Sequence, residues 1–317
     1  MKVLVTGADG FVGSWLTRRL VADSHVVVGT FRPGEDHRAA RFTPAERDRV
    51  TWVPLELADD ESVRRVAEGG WDAVAHLAAV SWVTVAERSP GRAWNENAAG
   101  TARLARALAE AKRAGEADPL MLLVSTVEVY GPGPEAPRKE TDVPAPVSAY
   151  ASSKLGAEVA ALMECRRAGL RVVVARPSPH TGRGQSERAL IPKYARRVLT
   201  ARRTRAPAIA TGLLDGVRDF LHVTDVIEAY VGLLTDGVPG EVYNVSSGEP
   251  VSLKDVVLRL CALCGWQPIL EVDSADVRTD AVRYLVGDST KLREATGWAP
   301  RRTLDQLLQD VLDAQTG

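Results

Sequence analysis

A parallel β-sheet covered by helices on both faces is the fold class this 317-residue chain predicts, and three observations predict it. Short β-branched runs alternate with helically spaced segments from the N-terminus to Pro177. The runs are apolar almost throughout, as strands buried on both faces are. A glycine-rich turn follows the first run directly and opens a helical segment, the arrangement expected of an α/β unit.

The runs read as strands are KVLVTG, HVVVGT, VTWVPLEL, DAVAHLAA, LMLLVST and RVVVARP. Helical spacing covers 11–22, 60–68, 92–115 and 149–168. Residues 131–148, GPGPEAPRKETDVPAPVS, are too rich in proline and glycine for either and read as a loop that leads to Tyr150. SPHTGRGQSER, after Pro177, is a second irregular stretch. Beyond it the alternation returns only in part. The expected organisation is a sheet domain over 1–176, to which 220–246 return, and a smaller interleaved lobe from 177–219 and 247–317.

Bulk properties exclude several functions. A net charge of -1 gives no global attraction to nucleic acid or to an anionic membrane. An anionic ligand must therefore be held by a local site. No apolar stretch approaches the ~18 residues of a membrane span, and MKVLVTGADG does not read as a secretory leader, because its apolar run is short and meets glycine at once. The cytoplasm is the expected location. Of Cys165, Cys261 and Cys264, the last two have CxxC spacing, but no second pair completes a zinc site. No metal is expected.

In TGADGFVG, Gly7, Gly10 and Gly13 lie three apart. Glycine lets the backbone turn sharply and approach a pyrophosphate, which the free N–H groups of the following helix then face. This is the first turn of a Rossmann-type, doubly wound sheet, and such sheets bind ligands at the C-terminal ends of their strands. The second strand ends in Thr30-Phe31-Arg32, with no carboxylate for the adenosine ribose. Arg32 is instead placed to pair with a 2′-phosphate, which favours NADP; its other reading is a surface charge. Glu56, after the third strand, is placed to accept from the adenine amino group. The small residues of HLAA at 76–79 permit close approach to the pyrophosphate, and His76 reads as a packed strand histidine.

At the reacting end, VSTVEVYG puts Thr126 and Glu128 just past a buried strand, and YASSK puts Tyr150 and Lys154 four apart on one helix face. An ammonium beside a phenol favours phenolate, so the lysine is expected to lower the tyrosine's pKa. A tyrosine so tuned takes or gives a proton near neutral pH, and Thr126 orients a substrate oxygen.

These motifs, with NENAAGT, ARPSPHTGRGQ, VRDFLHVTDV, YNVSSG and the closing LVGDSTKLREATGWAPRRTL, resemble the extended short-chain dehydrogenase/reductases of the sugar-nucleotide epimerase/dehydratase family, over nearly the whole chain. Within it the C-terminal half is most similar to the GDP-4-keto-6-deoxymannose reductases and then the GDP-mannose 4,6-dehydratases. The resemblance implies a bound NADP or NAD, hydride passage at the sugar C4, and Thr126, Tyr150 and Lys154 as catalytic hydroxyl, acid/base and helper. It also implies a homodimer built on the alanine-rich helices, and arginines at Arg218 and Arg278 holding the nucleotide diphosphate of a GDP-sugar.

Candidate cofactor contacts are Gly7, Gly10, Phe11, Val12, Gly13, Arg32, Glu56, Leu57, Leu77, Ala78, Ala79, Tyr150, Lys154, Pro177 and His180. Candidate substrate contacts are Ser81, Thr126, Ser178, Arg183, Arg218 and Arg278. The family's Arg-Pro-Phe-Asn-His stands here as Arg176-Pro177-Ser178-Pro179-His180, and Arg183 replaces a proline, so the sugar pocket departs from the common one. Three chemistries fit the catalytic residues. They are reduction of a 4-keto sugar, C4 epimerisation through a 4-keto intermediate, and 4,6-dehydration with Glu128 as a C5 base. Readings of other classes are a non-catalytic NADP-binding regulator, which would not need Tyr150 and Lys154, and a reductase of non-nucleotide carbonyls, which would not need Arg218 and Arg278.

Overall fold

A computed structural model of the protein describes residues 1–273 and 282–316. Six strands fall where the apolar runs lie: β1 (Lys2–Thr6), β2 (Val26–Phe31), β3 (Thr51–Pro54), β4 (Ala73–His76), β5 (Leu120–Val124) and β6 (Arg171–Pro177). A seventh, Val242–Val245, joins them. Their order across the sheet is Val242–Val245, β6, β5, β4, β1, β2, β3, and every neighbouring pair is parallel. The strand order reverses beside β1, which opens a crevice above the C-terminal ends of β1 and β4.

Successive residues of each strand serve opposite faces, because the strand period is two. Val3, Val5, Leu120, Leu122, Val173 and Ala175 pack against the helices Phe11–Ala22 and Val223–Asp236. Leu4, Met121, Leu123, Val172 and Val174 pack against Asp60–Ala67, Gly100–Arg113 and Ala149–Ala168. A separate core joins the helices Leu190–Thr204, Leu253–Leu263 and Leu304–Thr316 through Ile191, Val198, Val257, Leu260 and Leu308. The strands Ala208–Thr211 and Ile269–Val272 pair beside it. Leu292 and Trp298 belong instead to the core of the large sheet.

The single helix expected over 92–115 is divided. A short helix, Pro90–Ala93, runs into a π-helical turn, Trp94–Ala99, and then into Gly100–Arg113. Inside the widened turn, the Asn97 side chain clamps Val80: Oδ1 accepts from its N–H at 2.7 Å and Nδ2 donates to its carbonyl at 3.1 Å. Such turns recur at functional sites. This one fixes the strand end HLAAV to the helix that borders the crevice.

Candidate active site

A cleft of about 1130 Å³ lies over the C-terminal ends of the strands. One end is the glycine turn. Gly7 has φ of 66°, and a Cβ on Gly13 would lie 2.0 Å from the Gly7 carbonyl oxygen, so both positions require glycine. The helix Phe11–Ala22 starts at Gly10 without a capping side chain, which leaves its first N–H groups facing the cleft, a ready anion site. Thr6 Oγ1 accepts from the N–H groups of Leu77 and Ala78 at 3.1 Å each and contacts His76 Nδ1 at 2.7 Å. His76 Nε2 lies 3.0 Å from Thr101 Oγ1, and burial lowers the imidazole to about 3, which keeps it neutral and structural.

Every candidate cofactor residue lines this cleft: Gly7, Gly10, Phe11, Val12, Gly13, Arg32, Glu56, Leu57, Leu77, Ala78, Ala79, Tyr150, Lys154, Pro177 and His180. His180 stacks on Phe11 with ring centroids 6.5 Å apart. Arg32 is paired: Nε donates to Glu56 at 3.2 Å and Nη1 to Glu96 at 3.0 Å. Glu56 is thereby occupied, and its other oxygen accepts from the Ala58 N–H.

The reacting end is built by two breaks in regular structure. β5 ends at Val124, and Thr126 is extended, its Oγ1 accepting the Glu128 N–H at 3.2 Å to start a tight 3₁₀ turn, Val127–Tyr130. Gly131 ends that turn at φ of 62°, where a Cβ would lie 1.8 Å from the Ala145 carbonyl oxygen. The proline-rich loop thus passes against the turn and delivers Ser148, whose Oγ caps the helix Ala149–Ala168 by accepting from the Ala151 N–H at 3.0 Å. Tyr150 and Lys154 then point from its first turns into the cleft beside Thr126 and Glu128.

The Tyr150 hydroxyl is hydrogen-bonded to Thr126. Its phenol is pushed well above the ordinary value, by burial first and by the Glu128 carboxylate second. That reverses the expectation of a lowered phenol: Glu128 comes within electrostatic range, and the Thr126 hydrogen bond only partly offsets the two effects. Lys154 shows the complementary shift, from 10.5 down to about 8, because burial outweighs the attraction of Glu158 one turn further on. Glu158 is fixed in turn by Arg176, with contacts of 3.0 and 2.6 Å, and accepts from Ser125 Oγ.

The substrate candidates divide. Ser81, Thr126 and Ser178 line the cleft, although the Ser178 hydroxyl is shared with Ser246 Oγ at 2.7 Å. Arg183 does not line it; the side chain is exposed and its N–H donates to Asp310 at 3.0 Å. Arg218 lies outside the lining too. Its guanidinium donates to the carbonyls of Val217 and Arg283, and the Glu128 charge acts on it. Arg278 lies outside the described residues. Sequence reasoning missed Asp9, Glu35, Arg41, Arg92, Glu96, Arg188 and Tyr230, all of which line the cleft. Glu96 sits inside the quoted NENAAGT motif, whereas Tyr230, buried in the core of the helix Val223–Asp236, carries no local signal.

Among the described residues no helix is long and apolar enough to cross a membrane, and no cluster of acidic, histidine or cysteine side chains is suited to a metal ion.

The chain is similar to known proteins over nearly its whole length. The GDP-mannose 4,6 dehydratase family profile matches residues 4–311. The GDP-6-deoxy-D-mannose reductase of Pseudomonas aeruginosa is 33% identical over 98% of this chain and 96% of its own length. The structure of RMD from Pseudomonas aeruginosa complexed with NADPH superposes with a TM-score of 0.81 at 32% identity, covering 99% of this chain and 98% of that one. The UDP-glucose 4-epimerase of Thermus thermophilus, in complex with NAD, gives 0.86 at 26% identity, covering 100% and 99%. The chain therefore belongs to the GDP-mannose 4,6-dehydratase family, NAD(P)-dependent sugar-nucleotide enzymes of the extended short-chain dehydrogenase/reductase type.

Proposed function

We propose that the protein carries out hydride chemistry at C4 of a hexose borne on a nucleoside diphosphate, with GDP as the carrier and reduction of a 4-keto sugar as the reaction the site supports best. The observation that carries this reading is the convergence of Thr126, Tyr150 and Lys154 at the opposite end of one cleft from the glycine turn. A nicotinamide cofactor held in this cleft would supply the hydride. Tyr150, half-buried and hydrogen-bonded to Thr126, is held as the neutral phenol, so it is set to donate a proton to the C4 oxygen as the carbonyl becomes an alkoxide. Thr126 Oγ1 orients that oxygen, and the Lys154 ammonium stabilises the phenolate left behind. C4 epimerisation uses the same groups, with Tyr150 first acting as base. The GDP preference draws on similarity to the reductase and to the family profile.

Glu128 supports a second reading. It lines the cleft beside Tyr150, where a carboxylate can take the C5 proton that a 4-keto group acidifies. One experiment separates the readings. The protein is incubated with GDP-mannose, and separately with GDP-4-keto-6-deoxymannose plus reduced cofactor, and the products are weighed. A gain of two hydrogens on the keto sugar, abolished in Tyr150→Phe, is the expected result. Loss of water from GDP-mannose, abolished in Glu128→Gln, would replace reduction by dehydration. A new isomer without mass change would make the enzyme an epimerase.

The protein is also proposed to act as a homodimer. Trp94, which lies over Gly156, and Val159 and Met163 on the helix Ala149–Ala168 are exposed to 47%, 62% and 46%. They form an apolar strip suited to a second copy. With Cys165, Cys261 and Cys264 all free, the cytoplasm is the compartment proposed.

A further inference from the structure

The adenosine end of the cleft holds an ion cluster. Arg32, Glu35, Glu56, Arg92 and Glu96 all line it. Arg32 is held from two sides, by Glu56 at 3.2 Å and Glu96 at 3.0 Å. Glu96, whose side chain is only 10% exposed, takes a second arginine, Arg92, on its other oxygen at 2.7 Å, and Arg92 reaches Glu35 at 3.4 Å. Two guanidinium groups thus face three carboxylates. Of the nearby arginines, Arg38 pairs with Asp36 at 2.7 Å and stacks on Phe31, and Arg41 donates to the Gly184 carbonyl.

A ribose 2′-phosphate needs a guanidinium fork free to bind it. At this end Arg32 would have to leave two carboxylates, and those carboxylates would then repel the incoming dianion. Free ribose hydroxyls make the opposite demand. They are donors as well as acceptors, and carboxylate oxygens accept from them.

We propose that Glu96, braced by Arg92, is a specificity-determining residue that ties up Arg32 and makes the cleft select NAD(H) over NADP(H). This reverses the leaning toward NADP, which rested on Arg32 without its partners, and it rests on the dinucleotide reading of the cleft. Glu96 acts through Arg32 and is no part of the proton chemistry.

The test needs no sugar substrate. Protein stripped of bound nucleotide is titrated with NADH and with NADPH at low ionic strength, following nicotinamide fluorescence, for the wild type, Glu96→Gln, Arg32→Ala and the double variant. The wild type is expected to bind NADH about tenfold more tightly than NADPH. Glu96→Gln is expected to tighten NADPH by about tenfold while NADH stays within about twofold. Arg32→Ala should remove that gain in the Glu96→Gln background and change little alone, the non-additivity a shared partner produces. A wild type that prefers NADPH overturns the proposal whatever the variants do, and so does a Glu96→Gln protein whose two affinities move together. A wild type that binds neither nucleotide overturns the dinucleotide reading itself, and the proposal with it.

Discussion

Replacing the buried lysine by methionine should make the protein more stable and inactive. Lys154 is 5% exposed, and burial brings its ammonium down from 10.5 to about 8. Its folded pKa therefore lies below its unfolded one, so the folded chain sheds the proton first as pH rises. Keeping Lys154 charged in the fold costs about 3 kcal/mol near neutral pH. That cost is present in full below about pH 8, and the wild type recovers it as pH climbs from about 8 to 10.5. Methionine has similar length and no charge, and a swap of that kind disturbs packing by about 1 kcal/mol. Lys154→Met should then be about 2 kcal/mol more stable than the wild type at about pH 7. The gap should close toward about pH 10, where the wild-type lysine is neutral in the fold.

Urea unfolding of both proteins at the two pH values measures this directly, with the slopes checked for equality so that midpoints report stability. Turnover of Lys154→Met should fall by about a hundredfold or more. Equal or lower stability of the variant near neutrality would refute the reasoning, as would a gap that does not shrink with pH. In either case Lys154 would not be a charge held in the fold at a cost in stability.

Two further outcomes follow from the same neighbourhood and its outer face. Glu158→Gln leaves Arg176, 5% exposed, without the carboxylate it meets at 2.6 Å, and should lower stability by about 3 kcal/mol or more in the same urea assay. Val159→Glu combined with Met163→Glu should convert the proposed dimer to a monomer by light scattering; a wild type that is already monomeric would remove the proposed interface.

The first six strands and the two motif-bearing turns of the cleft were legible because each depends on residues close in sequence. The glycine spacing of TGADGFVG dictates a local turn, and the Tyr150–Lys154 interval dictates one helix face. What was not legible depends on distant partners. Arg32 reads as a free phosphate ligand until Glu96, sixty-four positions away, is brought against it. Arg183 reads as a substrate contact until its N–H meets Asp310 and its side chain turns to solvent. The phenol of Tyr150 reads as lowered by its own helix, but Glu128 arrives from the end of β5 and helps burial to raise it. The division of the 92–115 segment follows the same rule, since Asn97 reshapes the helix to reach Val80.

The stretch Ser125-Thr126-Val127-Glu128 shows why a buried strand should end in hydroxyls and a carboxylate. Each of its four side chains leaves in a different direction. Ser125 is tied back into the scaffold through Glu158 and Arg176. Thr126 turns toward Tyr150 and also caps the turn that follows. Val127 fills the small core with Val129, Tyr130 and Leu285. Glu128 is thereby left at the cleft wall, within range of both the Tyr150 phenol and the Arg218 guanidinium. A turn at the end of β5 is what lets four consecutive residues supply support, orientation, packing and charge at one place; a strand continuing with period two would have sent Thr126 and Glu128 to one face and Ser125 and Val127 to the other. The break in regular structure is thus the feature that makes the end of the strand a chemical site.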